Sequence, residues 1–449
     1  MKNGHFLLLF LAAFLLAGCF KSLTPSYPVQ DKSNSSLESI AIQAADDLWS
    51  NLHFGKNTKT NSSLGIESIA PVSLPSELSD TYPTDSIFII NYCNDAGFSL
   101  VAADRDEADV LALIESGSLD DQKLFQENVQ YEFEGEQIVY NYIESLIYNY
   151  SIDNKRKSRR LPRTRLNPGE EYNVWYTDSI IHPLVHYKWD QTYPFNSYMP
   201  AVPDTLTAFG PTSFYRGKHA VGCVIVAAMQ MVVATNHPST MIIDSFTYQM
   251  NSFSGVSMYY NYTLFKPNNY DTSVGPRLKV KTQQLACLLR YFGDSIGAIH
   301  KPNGATSASC TNAMNFLSSL DSERYDSWSM DDCLLGYVGN KTALFNMMSA
   351  GKPAIIEGSR IVSPADTTKV GHAWLVDGYL RRHLTRPDDD VFTSHYVHFN
   401  WGYQGKYDGY YLNTKISDRL EQDITYDTNP ASVSSNSKNY NINTHVYLY

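Results

Sequence analysis

The stretch that most restricts this chain is Arg216–Thr235, RGKHAVGCVIVAAMQMVVAT. A loop of small, polar and basic residues gives way at Cys223 to a run that stays apolar for most of three turns. Gln230 alone breaks it, and no proline follows until Pro238. A sharp turn at Gly222 into a buried helix puts the Cys223 sulfur at the helix N-terminus. Unpaired backbone N–H groups and the positive end of the helix dipole favour a thiolate there, and the thiolate is the nucleophilic form. A cysteine alone in such a helix also reads as a small buried hydrophobe. Partners elsewhere in the chain must decide between the two.

At 449 residues the chain exceeds one ordinary core, which implies two domains with accessory segments. A hydrophobic content of 43% and a charged content of 18% describe a globular protein. The net charge of -11 argues against nucleic acid as a partner. At the N-terminus, Lys2 precedes an apolar run from Phe6 to Leu16, too short for a permanent membrane span. The run ends in Leu16-Ala17-Gly18-Cys19, which resembles a bacterial lipoprotein signal with Cys19 as the lipidated first residue of the mature chain. An ordinary secretory signal is the alternative, and both predict export. Cys93, Cys287, Cys310 and Cys333 form neither a zinc pattern nor a dense disulfide framework, and spacing leaves open one bridge among the last three.

Residues 1–18 are expected to be the signal and residues 19–34, rich in Ser, Pro and Asn, a tether. Ser35 and Glu38 are spaced as a capping box, and apolar residues from Leu37 to Leu52 recur at helical spacing. Strands are predicted at Ser86–Tyr92, Gly97–Ala103 and Val110–Glu115, then a helix within Gln122–Asn149. Residues 35–150 thus read as a small α+β domain. Residues 151–170 carry Lys155, Arg156, Lys157, Arg159, Arg160, Arg163 and Arg165, with Pro162 and Pro168 breaking any helix. This basic run reads as a solvated linker or as a processing region that is easily nicked. Contact with anionic lipid is a third reading. Residues 171–449 form the second domain. Its helices lie around Cys223 and within Lys281–Phe292 and Thr311–Leu320. Its strands lie at Ala354–Glu357, His372–Tyr379, His395–Trp401 and Gly409–Leu412.

A cysteine nucleophile needs a base and a third group to hold that base in the right tautomer. His372 stands at the mouth of a strand in Gly371–Tyr379, GHAWLVDGY, and can turn its ring into a cleft. In the next strand Asn400 can accept from one imidazole nitrogen and Trp401 can shield that bond from water. The backbone N–H of Cys223 and the side chain of Gln191, in WDQTYPFN, are the candidate oxyanion donors. The Gly-containing stretch Lys301–Ala308 is expected to line the groove. His395 and His398 with Asp388–Asp390 read as strand and loop residues rather than metal ligands.

The segments WDQTYPFN, GCVIVAAMQMVV, GHAWLVDGY and HFNWGYQGKYDGYY resemble, in order, those of the streptopain family of papain-like cysteine peptidases. IFIINYCNDAGFSLVAADRDEADVLALIESGSL is similar to the inhibitory propeptide fused ahead of such enzymes. The resemblance implies an α+β, papain-like fold in which a helical side bearing Cys223 faces a β-rich side bearing His372. It implies Cys223 as nucleophile, His372 as general base and acid, and Asn400 as orienter. Gln191 would serve the oxyanion hole and Trp401 would be the shield, with no cofactor or metal. Protein or peptide substrates, the chain's own propeptide as inhibitor, and a membrane through the lipid anchor are the implied partners. Tyr403-Gln404 departs from the Trp-Gly common in the family, and Val224-Ile225-Val226 is more β-branched than usual; neither removes a chemical group. The expected protein is an exported zymogen of a cysteine endopeptidase in the cell envelope. A transglutaminase-type acyltransferase and an inactive surface-binding lipoprotein are the rival readings.

Overall fold

The computed structural model describes residues 36–53, 65–76, 86–104, 108–126, 129, 131, 134–157, 175–202, 217–257, 276–320, 326–328, 343–363, 368–385, 391–417, 424–425 and 446–448. The signal, the tether, Cys19, Ser35, Cys333, Asp388–Asp390, Arg159 and Arg160 lie outside these residues. From Leu37 onward the chain forms one compact unit.

Helix α1 (Leu37–His53) buries Ala41, Ala45, Leu48 and Leu52 along one stripe, as its apolar spacing requires. Strands β1 (Ile66–Pro71), β2 (Ile87–Tyr92), β3 (Phe98–Ala103) and β4 (Ala108–Ile114) form an antiparallel meander. The turn between β2 and β3 uses Asn94 with φ 61° and Gly97 with φ 107°. Helix α2 (Glu134–Lys157) follows. It runs further than expected, so Lys155, Arg156 and Lys157 form its last turn rather than part of a linker.

Strand β5 (Trp175–Ile181) opens the second region, and helix α3 (Cys223–Thr235) is its axis. Every side chain from Val224 to Val233 is buried, as expected for a helix apolar nearly all round. The hairpin β6 (Thr240–Ile243) and β7 (Phe246–Gln249), helix α4 (Pro276–Ser295), the short pair β8 (Ile299–His300) and β9 (Thr306–Ser307), and helix α5 (Cys310–Leu320) complete the helical side. The remaining elements are β10 (Asp326–Trp328), helix α6 (Ala343–Ser349), β11 (Ala354–Ser363), β12 (Thr368–Thr385), β13 (Val391–Asn400), β14 (Gly409–Ser417), β15 (Ile424–Thr425) and β16 (Val446–Leu448). Cys93, Cys223, Cys287 and Cys310 carry no disulfide.

One 12-stranded sheet runs β1-β2-β3-β4-β14-β13-β12-β11-β16-β10, with β5 on β12 and β15 on β14. The two regions expected as separate domains are therefore joined edge to edge. Leu113 pairs with Tyr410 and Ala112 with Tyr411. An exposed edge strand invites a partner, and β4 and β14 each supply the other's. Two cores flank the seam. Tyr142, Ile143 and Leu146 of α2 pack with Trp374, Val376 and Phe399, while α3 packs with Ile355, Ala373 and Leu375. Alternation along β12 thus sends successive side chains to different cores.

The seam is sensitive at Gly409, where a Cβ would collide with the Leu113 carbonyl oxygen. Gly409→Val is expected to unzip β4 from β14. Hydrogen exchange should then show amides 111–114 losing protection while β12 and β13 keep theirs; unchanged protection at 111–114 would contradict the pairing.

Candidate active site

Gly222 makes the turn into α3. Its φ of 102° suits glycine, and a Cβ there would press on Thr306 at 3.2 Å. No side chain caps the helix start, so the first N–H groups remain for Cys223 and for whatever binds beside it. The approach to Cys223 is held from two sides. Val221 N donates to the Gln191 carbonyl (2.9 Å), and Ala220 N donates to the Gly304 carbonyl (2.9 Å). Thr306 Oγ1 donates to the Ala220 carbonyl (2.6 Å). The Lys301–Ala308 hairpin therefore buttresses the turn.

A narrow, tightly closed cleft lies between α3 and the sheet, and Cys223, Gln191, Gln230, Ala373, Asn400 and Trp401 contribute to its wall. Four of the five residues expected to carry chemistry thus converge. Cys223 is half-buried, while Asn400 and Trp401 are buried. Asn400 Oδ1 accepts from Gly402 N (3.1 Å) and Gln230 Nε2 (3.4 Å). Trp401 N donates to Asp408 Oδ1 (2.9 Å), and Asp408 in turn holds Lys188 Nζ at 2.9 Å. Gln404 donates from Nε2 to Asp190 Oδ2 (2.6 Å) and from its backbone to the Trp189 carbonyl (2.8 Å), which binds the loop after Trp401 to the Gln191 segment. Gln230 is a site residue that the sequence reading passed over; its signal was an amide inside an apolar helix, seven residues after the cysteine.

His372 does not line this cavity. Its neighbour Ala373 faces α3, so strand alternation turns the imidazole to the other side. There the ring stacks on Trp374 (5.8 Å between centroids), Trp401 (6.0 Å) and Tyr403 (4.9 Å). Nε2 donates to the Trp401 carbonyl (2.9 Å), which can only accept, so the proton sits on Nε2. Nδ1 then accepts from Tyr403 Oη (3.2 Å). Burial pushes this imidazole down to about 4 and outweighs the bond to Trp401. Both ring nitrogens of His372 are thus engaged, by the Trp401 carbonyl and by Tyr403.

Two more of the buried histidines, His395 and His398, take separate partners. His395 bonds Tyr379, and burial, with Arg381 nearby, lowers it to about 4. His398 Nδ1 lies 2.6 Å from Asp377 Oδ1. Burial alone would strip its proton, but Asp377, with Glu115, outweighs that and holds it up at about 10.

A histidine buried neutral stabilises the fold above its unfolded value of about 6.5 and loses that contribution as pH falls through its folded value. The full chain should therefore lose stability between pH 6.5 and about 4. His372→Phe keeps a flat ring and is expected to flatten that limb by on the order of 3 kcal/mol. Thermal unfolding of both proteins across this range checks it; parallel curves would refute the assignment.

Residues 189–411 match the model of the Peptidase C10 family. Among solved structures, the active wild-type interpain A cysteine protease of Prevotella intermedia is similar, at 18% identity and a TM-score of 0.34, covering 56% of this chain and 90% of that one. No curated protein matches. Through residues 189–411, about half its length, the chain belongs to the Peptidase C10 family and is a cysteine-type endopeptidase acting on protein substrates.

Proposed function

We propose that this protein is the exported, lipid-tethered zymogen of a cysteine endopeptidase, latent until residues up to the basic stretch near 155–165 are cut away. The observation that carries the reading is the split site: Cys223, Gln191, Asn400 and Trp401 share a cavity, while His372 is stacked outside it. Helix α2 supports that stack. Tyr142 packs edge-on against Trp374 and Trp401, and a Cβ on Gly135 would fall inside the Tyr403 ring. Removal of α2 frees these rings, and the strand end that carries His372 can then change its pairing so that the imidazole meets Cys223.

In the active enzyme the Cys223 thiolate forms a C–S bond to the scissile carbonyl carbon as the carbonyl electrons move to oxygen. Cys223 N–H and the Gln191 amide hold that oxyanion. Its collapse breaks the C–N bond, and the amine leaves with the proton from His372. Water, deprotonated by His372, then hydrolyses the acyl-enzyme. Asn400 orients the imidazole and Trp401 shields it. Cys19 carries the lipid that tethers the precursor to the cell envelope (outer membrane or cell surface), and cleavage in the basic stretch releases the enzyme from it.

The purified full chain is expected to hydrolyse a fluorogenic peptide only after a new N-terminus appears near residues 155–165, and Cys223→Ala to abolish turnover. Turnover unchanged in Cys223→Ala, or none after cleavage, rejects the reading. Tyr142→Ala is expected to cost the precursor about 3–5 kcal/mol and to speed its activation; slower activation would count against latency through α2. Radiolabelled palmitate fed to expressing bacteria should label the wild type and not Cys19→Ala.

A further inference from the structure

Gln230 stands out among the side chains of α3. It is fully buried, two helical turns beyond Cys223, in a run whose other members from Val224 to Val233 are apolar. A buried amide in such a place costs stability unless both its ends are satisfied. Here the two ends differ. Gly402 N–H can only donate, and it fixes the Asn400 atom it meets as Oδ1. The Gln230 atom 3.4 Å from that oxygen is therefore the donor Nε2, which leaves Oε1 as the free end. Oε1 meets no hydrogen-bond partner among the described residues, and neither does Asn400 Nδ2. Both residues line the cavity that also holds Cys223, Ala373 and Trp401.

We propose that Gln230 is a positioning residue of the peptidase centre: its amide clamps Asn400, and its remaining oxygen accepts an N–H of the imidazole that enters the cavity beside Cys223. An imidazolium paired with a thiolate through one nitrogen has a second N–H to satisfy. The Gln230 oxygen, held beside Asn400 in the wall of the cleft, supplies the acceptor for it. The energetic cost of the polar side chain in the latent chain is then the preorganisation of the working one. This rests on the reading that Cys223 and His372 act as a pair after activation.

The test is Gln230→Met, which keeps length and volume and removes both polar atoms, with Gln230→Glu, which keeps an acceptor. Each is expressed as the full chain and processed in trans by a trace of wild-type enzyme. The precursor of Gln230→Met is expected to melt at or above the wild-type temperature. The processed variant is expected to lose about tenfold to a hundredfold in kcat, the scale seen for partners that orient metal-bound histidines, with KM little changed. Alkylation of Cys223 by iodoacetamide should move its inflection to higher pH, because the imidazolium no longer holds the thiolate. Gln230→Glu should retain more kcat than Gln230→Met. Wild-type kcat and an unshifted alkylation profile in Gln230→Met overturn the proposal, as does a lower melting temperature with kcat intact. If Gln230→Met does not fold, Gln230→Glu decides by the same two readouts. An inactive processed wild type instead rejects the underlying peptidase reading, which separates the two failures.

Discussion

Tyr142 of α2 meets Trp374, Phe399, Trp401 and Tyr411 at steep angles, with ring centroids 5.3–6.4 Å apart. Edge-to-face packing of this kind adds specificity to the burial of large rings. Trp374 and Trp401 also stack on each other at 4.7 Å, and His372 extends the same pile with Tyr403. A close-packed interior transmits displacement, because it has few voids to absorb it. The seat of α2 and the seat of the imidazole are consequently one packing problem. Trp374 and Trp401 touch both Tyr142 and the imidazole, and so carry a change at the helix to the histidine.

The seam between the two regions has a polar layer beside the aromatic one. Tyr407 N donates to the Ser116 carbonyl and Glu115 N to the Asp408 carbonyl, while the side chain of Asp408 holds both Lys188 and Trp401 N. Burial raises the Asp408 carboxyl from its ordinary value, with Lys188 opposing. Such a network is stabilising only when every member is paired. It ties the Trp401 loop to Lys188 at the start of the Gln191 segment, so this wall of the cleft is held by a buried polar network. Pre-assembly of one half of the site, with the other half stacked away, is consistent with a latent enzyme.

Much of this was legible in the chain. Helical spacing from Leu37 to Leu52 placed α1, and α3 followed from an apolar run entered through Gly222. The strand-like runs Ser86–Tyr92, Gly97–Ala103, His372–Tyr379 and His395–Trp401 marked the principal strands, though β12 and β13 are longer than those runs indicate. The C-terminal end of β12 alternates, with Leu380, Arg382 and Leu384 buried between the more exposed Arg381 and His383, and its backbone is paired by β5 and β13. The strand Ile66–Pro71 was missed: its residues are mostly exposed, so no burial pattern marks them. Cys223, Gln191, Asn400 and Trp401, singled out by residue type and order, line one cleft.

The chain by itself determined which groups are available and which elements carry them: a thiol on a buried helix, an imidazole near a strand end, an amide before a tight turn. It could not say that β4 zips onto β14, because edge pairing uses backbone groups that every residue possesses. Nor could it say on which face of β12 the imidazole lies. That depends on a two-residue alternation fixed by pairing with β11 and β13, and on a helix some 230 residues earlier whose rings compete for the same space. Side-chain direction is set by register, and register is a property of the assembled sheet.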